Sequence, residues 1–180
     1  MRGPALLAAG MLILSAPPAL AQVDTSGRVL DLELRVVDLQ LRTEDIGGAS
    51  RTNEKGNEVE IALSADVLFE FDKASLTPKA NKTLREVAGR IESEASGTVK
   101  ITGYTDSKGS NRYNLRLSQR RAKTVEHALD DMVDGADVTF EVKGLGERKP
   151  EAPNLKKDGT DNPKGRALNR RVEVQFSKSD

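Results

Sequence analysis

The chain has 180 residues, with 28 basic and 28 acidic side chains, one histidine and no cysteine. This charge balance argues against a protein that binds nucleic acid through excess positive charge, and an aromatic content of 3 % argues against base stacking. The absence of cysteine excludes disulfides, thiolate metal sites and thiol-linked lipids, and a single histidine excludes metal sites with several histidine ligands. We expect no metal site and no cofactor.

The first residues have the layout of a secretory signal peptide. Arg2 precedes an apolar run over residues 5–16, two prolines follow at 17 and 18, and small residues fit cleavage after Ala21. An uncleaved anchor is disfavoured, because an apolar run of about 12 residues is shorter than the ~20 that span a bilayer. We therefore expect a signal peptide at residues 1–21 and a periplasmic location, with association with the outer membrane left open.

Residues 22–57 are predicted to form a β-rich extension. Alternating apolar residues over 29–42 indicate one bent strand or two short strands. The glycine-rich and polar segment 47–57 predicts a loop. The strand either joins the sheet of the chain's own domain or pairs with a partner, such as an outer-membrane or envelope protein or a second copy.

Residues 58–178 are predicted to form the main domain. Alternating apolar residues predict strands at 59–63, 99–103, 138–142 and 172–176. One helix is predicted to begin at Thr77-Pro78, and a second to run from Ser110 to about Val133. Residues 144–165 read as a long polar loop. The order β-α-β-α-β-loop-β predicts an α+β fold, a two-layer α/β sandwich with a mixed sheet.

A candidate site lies between the second predicted strand and the second predicted helix. Asp106 follows the strand, and Arg121 lies on the apolar face of the helix with Leu117. Because a buried arginine is costly unless an anion meets it, two interpretations are open. One is a structural ion pair with Asp106. The other is a pocket for a zwitterion, in which Asp106 takes an ammonium, Arg121 takes a carboxylate and Asn114 assists.

Four ordered motifs between Val67 and Phe176 carry a family resemblance. They are Val67–Ala80, the spaced set Thr105-Asp106, Leu117-Ser118, Arg121-Ala122, Val125 and Leu129, then Gly144–Glu147, and finally Asn169–Glu173. Together they resemble the OmpA-like peptidoglycan-binding domain family, over about 110 residues. The spaced set resembles the pattern with which that family binds diaminopimelate.

The resemblance implies that Asp106 accepts from the ammonium, and Arg121 pairs with the carboxylate, of meso-diaminopimelate in a peptidoglycan stem peptide. Further ligand-binding roles are implied for Thr105, Asn114, and Arg170 or Arg171. The implied function is non-catalytic attachment to the cell wall. Two alternatives stay open: an envelope structural or stress protein that uses the domain mainly for protein contacts, and an accessory of peptidoglycan processing. The sequence contains no motif for a catalytic nucleophile, for a catalytic pair of carboxylates or for zinc, so we expect no enzyme activity.

Overall fold

The computed structural model describes residues 41–44 and 48–179. They belong to the larger of the two units into which the chain divides, Asp38–Asp180. The strands in these residues are β1 (Leu41–Glu44), β2 (Ser50–Lys55), β3 (Glu58–Ser64), β4 (Ala95–Tyr104), β5 (Val138–Gly146) and β6 (Arg171–Lys178). The helices are α1 (Ala65–Leu68), α2 (Ala80–Glu94), α3 (Asn111–Asp130) and α4 (Pro163–Asn169).

All six described strands form one mixed sheet in the order β1-β2-β3-β6-β4-β5. β4 and β5 run parallel, and every other neighbouring pair is antiparallel. The parallel pair is connected through α3, the crossover that such pairing requires. The predicted α+β fold with a mixed sheet is confirmed.

The core lies between one face of the sheet and the helices α2 and α3. Alternate residues of β3 and β6 face it, with Ile61 opposite Val174 and Leu63 opposite Val172. The helices contribute apolar residues at helical spacing, among them Leu84, Val87, Ile91, Val125 and Leu129. A strand with one apolar face and a helix with one apolar stripe bury each other, and this produces the predicted two-layer sandwich.

A side-chain oxygen accepts from a backbone N–H at the start of each long helix, from Ser110 as the N-cap of α3 and from Thr77 in the turn before α2. The Thr77 Oγ1 accepts from the Ala80 N–H at 3.2 Å, and the Ser110 Oγ accepts from the Tyr113 N–H at 3.2 Å. The first helix starts at Ala80 rather than at the predicted Thr77-Pro78, because Thr77 and the residues after it form a turn that leads into the helix. The second helix ends at Asp130, a few residues before the predicted Val133.

Two loop predictions are wrong in part. Residues 50–55, inside the predicted loop 47–57, form β2, which pairs with β3 across a turn in which Gly56 has a φ of 57°. The predicted loop 144–165 contains the end of β5 and the start of α4, where Asn162 Oδ1 accepts from the Gly165 N–H. Backbone pairing and capping stabilise β2, the end of β5 and this helix, so the spacing of apolar residues in the sequence does not predict them.

Most of the N-terminal predictions lie outside the described residues. These are the signal peptide at 1–21 and the strand at 29–42, of which only Leu41 and Arg42 are described, in β1. β1 pairs with β2, with Leu41 opposite Glu54. Within the described part of the chain, no helix combines the length and the apolar character that a membrane crossing requires.

The helix α3 approaches the ends of β4 and β5 very closely. A Cβ on Gly103 would lie 2.2 Å from the Ser118 carbonyl oxygen, and one on Gly144 would lie 2.4 Å from the Gln119 nitrogen. Only glycine permits this distance between backbones. Because α3 rests directly on the strand ends, its inward side chains lie beside the loop that follows β4.

Candidate functional site

A cavity of about 480 Å³ opens beside the end of β4. Its walls come from α1 and the turn after it, the β4–α3 loop, α3 and α4. The lining residues are Ala65, Asp66, Phe69, Glu70, Phe71, Asp72, Thr105, Asp106, Lys108, Tyr113, Asn114, Leu117, Arg121, Arg166 and Arg170. The cavity therefore combines an apolar wall with several groups of both charges, which suits a small polar ligand with an aliphatic part.

Asp106 is a buried carboxylate that receives three hydrogen bonds. Its Oδ2 accepts from Arg170 Nη1 at 2.8 Å and from Arg166 Nη1 at 3.3 Å, and its Oδ1 accepts from the Lys108 N–H at 3.0 Å. Burial by itself would raise the pKa of Asp106. The bonds from Arg170, the Lys108 N–H and Arg166 outweigh burial and hold the pKa below its ordinary value, so the group is an anion at neutral pH.

Each of these two arginines is also held by a second carboxylate. Arg170 donates from Nε and Nη2 to Asp66, at 2.7 and 2.5 Å, and Arg166 donates from Nε and Nη2 to Asp161, at 2.8 and 2.6 Å. The five groups make a row of alternating charge in the order Asp66, Arg170, Asp106, Arg166, Asp161, which we call the ionic row. Both outer contacts have the two-bond geometry that guanidinium and carboxylate groups prefer.

Arg121 is a buried cation of a different kind. The residue is 5 % exposed, its Nε donates to the Lys73 carbonyl oxygen at 2.9 Å, and its guanidinium carbon lies 5.2 Å from the centre of the Phe69 ring. No carboxylate of the described residues lies within salt-bridge distance of it. Burial lowers the pKa of Arg121 from its usual value, and the more distant charges of Asp66 and Asp72 oppose that shift.

The ion pair between Asp106 and Arg121, one of the two interpretations of the sequence, is not formed among the described residues. Asp106 is paired with Arg166 and Arg170 instead. Arg121 keeps its two Nη groups without a hydrogen-bond partner in the described part of the chain, and it lines the cavity. An anionic ligand group would supply the partner that this buried cation lacks.

Thr105 and Asn114 also line the cavity. The Thr105 N–H donates to the Gly146 carbonyl at 2.9 Å, and its Oγ1 is buried without a hydrogen-bond partner. The Asn114 Nδ2 donates to Glu147 Oε2 at 2.7 Å and to the Asp106 carbonyl at 3.3 Å. Asn114 thus holds the β4–α3 loop in place, and Thr105 contributes an unsatisfied hydroxyl.

Arg170 and Arg171 lie in different surroundings, although they are neighbours in the sequence. Arg170 lines the cavity, whereas Arg171 is absent from its lining. The guanidinium carbon of Arg171 lies 3.9 Å from the centre of the Tyr104 ring, and its Nη2 is 2.7 Å from Glu173 Oε1. Arg170 caps the C-terminal end of α4, whereas Arg171 is the first residue of β6, so the two side chains belong to different elements.

Sequence reasoning did not identify Asp66, Arg166 or Asp161 as part of the site. Asp66 lies in a short apolar stretch that leads into a turn, and Arg166 and Asp161 lie in or beside the predicted polar loop. No local pattern marks them, because 40 or more residues separate each of them from Asp106 along the chain. The described residues contain no group of three or more side chains suited to bind a metal ion.

Comparison with known proteins agrees with this architecture. A sequence model of the OmpA family matches residues 68–164. The probable lipoprotein YiaD of Escherichia coli is 33 % identical over 132 residues, which cover 73 % of this chain and 57 % of that protein. The photosystem I P700 chlorophyll a apoprotein A2 of Gloeobacter violaceus is 43 % identical over 116 residues, which cover 64 % of this chain and 13 % of that protein. The chain thus matches only part of the length of either relative.

Among solved structures, the cell wall anchor of the T6SS from Pseudomonas aeruginosa superposes with a TM-score of 0.60. The two sequences are 26 % identical, and the superposition covers 74 % of this chain and 90 % of that one. The fold of this domain therefore recurs in a structure described as a cell wall anchor.

Proposed function

The chain belongs to the OmpA family, and we propose that its domain binds cell-wall peptidoglycan through the meso-diaminopimelate of stem peptides without catalysing a reaction. The observation that carries the proposal is the guanidinium of Arg121, which is buried, lines the cavity and has no carboxylate partner among the described residues. Asp106, an anion at neutral pH, lines the same cavity. The description of a solved relative as a cell wall anchor supports peptidoglycan as the ligand.

The free end of diaminopimelate carries an ammonium and a carboxylate on one carbon, followed by a methylene chain. In the proposed complex, Arg121 binds the carboxylate with its Nη groups, and Asp106 accepts from the ammonium. Phe69 and Leu117 supply apolar wall for the methylenes. A ligand that carries both charges suits a cavity in which a cation and an anion are held on separate elements.

We assign assisting roles to three further residues. Thr105 offers its unsatisfied hydroxyl, Asn114 fixes the β4–α3 loop, and Arg170 orients Asp106. Arg171, whose side chain packs on Tyr104, has no ligand role in this proposal. With these roles, the domain is a binding module that attaches the protein to the cell wall.

We place this module in the periplasm. The proposal rests on the signal-peptide pattern of residues 1–21. It is consistent with the names of relatives, which include outer membrane protein A of Bordetella avium and the probable lipoprotein YiaD. Cleavage after Ala21, read by N-terminal sequencing of the protein from a periplasmic extract, tests this part.

Binding is tested with Arg121→Met and Asp106→Asn. Methionine preserves apolar contact with Phe69 and removes the charge, and asparagine preserves the size of the aspartate. Losing one charged partner in a desolvated site weakens binding by about tenfold or more. We expect that loss in pull-down with purified diaminopimelate-type sacculi and in calorimetry with meso-diaminopimelate. Arg120→Met is the matched control, because Arg120 is exposed on the same helix and outside the cavity.

The chemistry of recognition is tested with altered ligands. Sacculi with lysine in the stem peptide keep the ammonium and lack the carboxylate, so they should bind less tightly. Pimelate has the two carboxylates and neither ammonium, so it should bind less tightly than diaminopimelate. Equal binding of all three ligands, or unchanged sacculus binding by both site variants, would refute the proposal.

A further inference from the structure

Asp106 is not available as an unpaired carboxylate, since the ionic row already places two cations on it. Both arginine Nη1 groups donate to the same oxygen, Oδ2. A ligand ammonium that approaches Asp106 therefore competes with guanidinium groups that belong to the protein. How strongly they compete depends on how firmly each arginine is held elsewhere.

The two arginines differ in their attachment to Asp106. The Nη1 of Arg170 lies 2.8 Å from the shared oxygen. The backbone of Arg170 is held by a hydrogen bond of 2.9 Å, in which its carbonyl oxygen accepts from the Ala65 N–H. Arg166 lies 3.3 Å from that oxygen, and both of its bonds of 2.8 Å or less go to Asp161. Arg166 is thus the cation that a ligand displaces more readily from Asp106.

Asp161 sits at the outer end of the row, in the polar segment before α4. Its side chain is 49 % exposed, whereas the Arg166 side chain is 12 % exposed. The two short bonds to Asp161 hold the Arg166 guanidinium at a position from which its Nη1 reaches Asp106 Oδ2 only at 3.3 Å, whereas the Nη1 of Arg170 reaches it at 2.8 Å. Without the charge of Asp161, Arg166 would settle fully on Asp106.

We infer that Arg166 is an internal competitor for the ligand ammonium at Asp106, and that Asp161 sets the strength of this competition. The inference rests on the proposed function, and it identifies Arg166 and Asp161 as specificity-determining residues of the same site. It makes opposite predictions for two charge-removing substitutions. Arg166→Gln should tighten binding of meso-diaminopimelate by about threefold, and Asp161→Asn should weaken it by about threefold.

The experiment is isothermal calorimetry on the full chain with meso-diaminopimelate and with pimelate. The tightening caused by Arg166→Gln should be confined to diaminopimelate, because pimelate has no ammonium to compete with. In the double variant, Asp161→Asn should have no further effect, since the side-chain hydrogen bonds that Asp161 accepts among the described residues come from Arg166. Asp158→Asn is the matched control from the same segment, because Asp158 accepts from Thr160 and makes no contact with Arg166.

The outcomes separate this inference from the proposed function. If the unmodified protein does not bind meso-diaminopimelate, the proposed function and this inference both fail. If it binds, and the two single variants shift the affinity in the same direction or not at all, only this inference is overturned. An effect of Asp161→Asn that persists in the Arg166→Gln background also overturns it. Because Asp161 is half-exposed, Asp161→Asn tests the inference even if Arg166→Gln unfolds the domain.

Discussion

Substitution of Gly103 by alanine tests how the fold positions the site. Gly103 lies in β4 beneath α3, and a Cβ there would lie 2.2 Å from the Ser118 carbonyl oxygen, 3.0 Å from its carbon and 3.3 Å from its Cα. All three atoms belong to the helix backbone, so no change of rotamer relieves the clash. Restoring ordinary contact requires the helix to move away from the strand by about 1 Å.

The cost follows from the rigidity of both elements. Adding one methyl group to a well-packed interior costs about 1–3 kcal/mol, and we expect the upper end of this range because the obstacle is backbone. The displacement also moves the helix that carries Asn114 and Arg121 relative to Asp106. We therefore expect Gly103→Ala to lower the free energy of unfolding by about 3 kcal/mol and to weaken binding of meso-diaminopimelate.

The assay is urea unfolding followed by circular dichroism, with calorimetry of ligand binding on the folded variant. Gly89→Ala is the control, since Gly89 is exposed in α2 and a Cβ there would meet no atom within 4 Å. Gly89→Ala should raise the free energy of unfolding by about 0.5–1 kcal/mol, because alanine has a higher helix propensity than glycine. The reasoning is refuted if Gly103→Ala unfolds at the same urea concentration as the unmodified protein.

Two further predictions concern the site loop and the polar segment before α4. The pKa of Asp106 is lowered on folding, so its stabilising contribution is complete above the ordinary aspartate value of about 4 and is lost as pH falls through the folded value. The difference in thermal midpoint between the unmodified protein and Asp106→Asn should stay constant from neutral pH down to about 5 and shrink below about 4; a difference that grows on acidification would contradict this. Asn169, which is fully buried, accepts from the N–H groups of Glu151 and Ala152 at 2.7 and 2.9 Å, so Asn169→Ala should cost about 1–3 kcal/mol. Faster proteolytic cleavage within residues 150–162 checks this, and an unchanged cleavage rate would show that Asn169 does not hold the segment.

Local sequence patterns predicted most of the fold because they report interactions between near neighbours. Alternation placed β3, β4, β5 and β6, the cap at Thr77 predicted the start of α2 to within a few residues, and helical spacing predicted α3 from Ser110 onward. The prediction failed where structure depends on a distant partner. β2 has little apolar alternation of its own and exists through its backbone pairing with β3.

For the site, the helical spacing of Arg121 and Leu117 correctly predicted a buried arginine facing inward. The residue that pairs with Asp106 was not predictable in the same way. The spacing suggested Arg121, whereas the structure places Arg166 and Arg170 on that carboxylate. Both are at least 60 residues away along the chain, and they reach Asp106 because α4 and its C-cap lead directly into β6, which pairs with β4.

The amino-acid sequence by itself determined the layers of the domain, the inward face of α3 and the presence of two opposite charges near one strand end. Periodicity and capping act over a few residues, so they can be read from the chain directly. Only the tertiary structure decided which charges neutralise each other. Ion pairing depends on distances of a few ångströms between elements far apart in sequence, and here it satisfies Asp106 and leaves Arg121 facing the cavity.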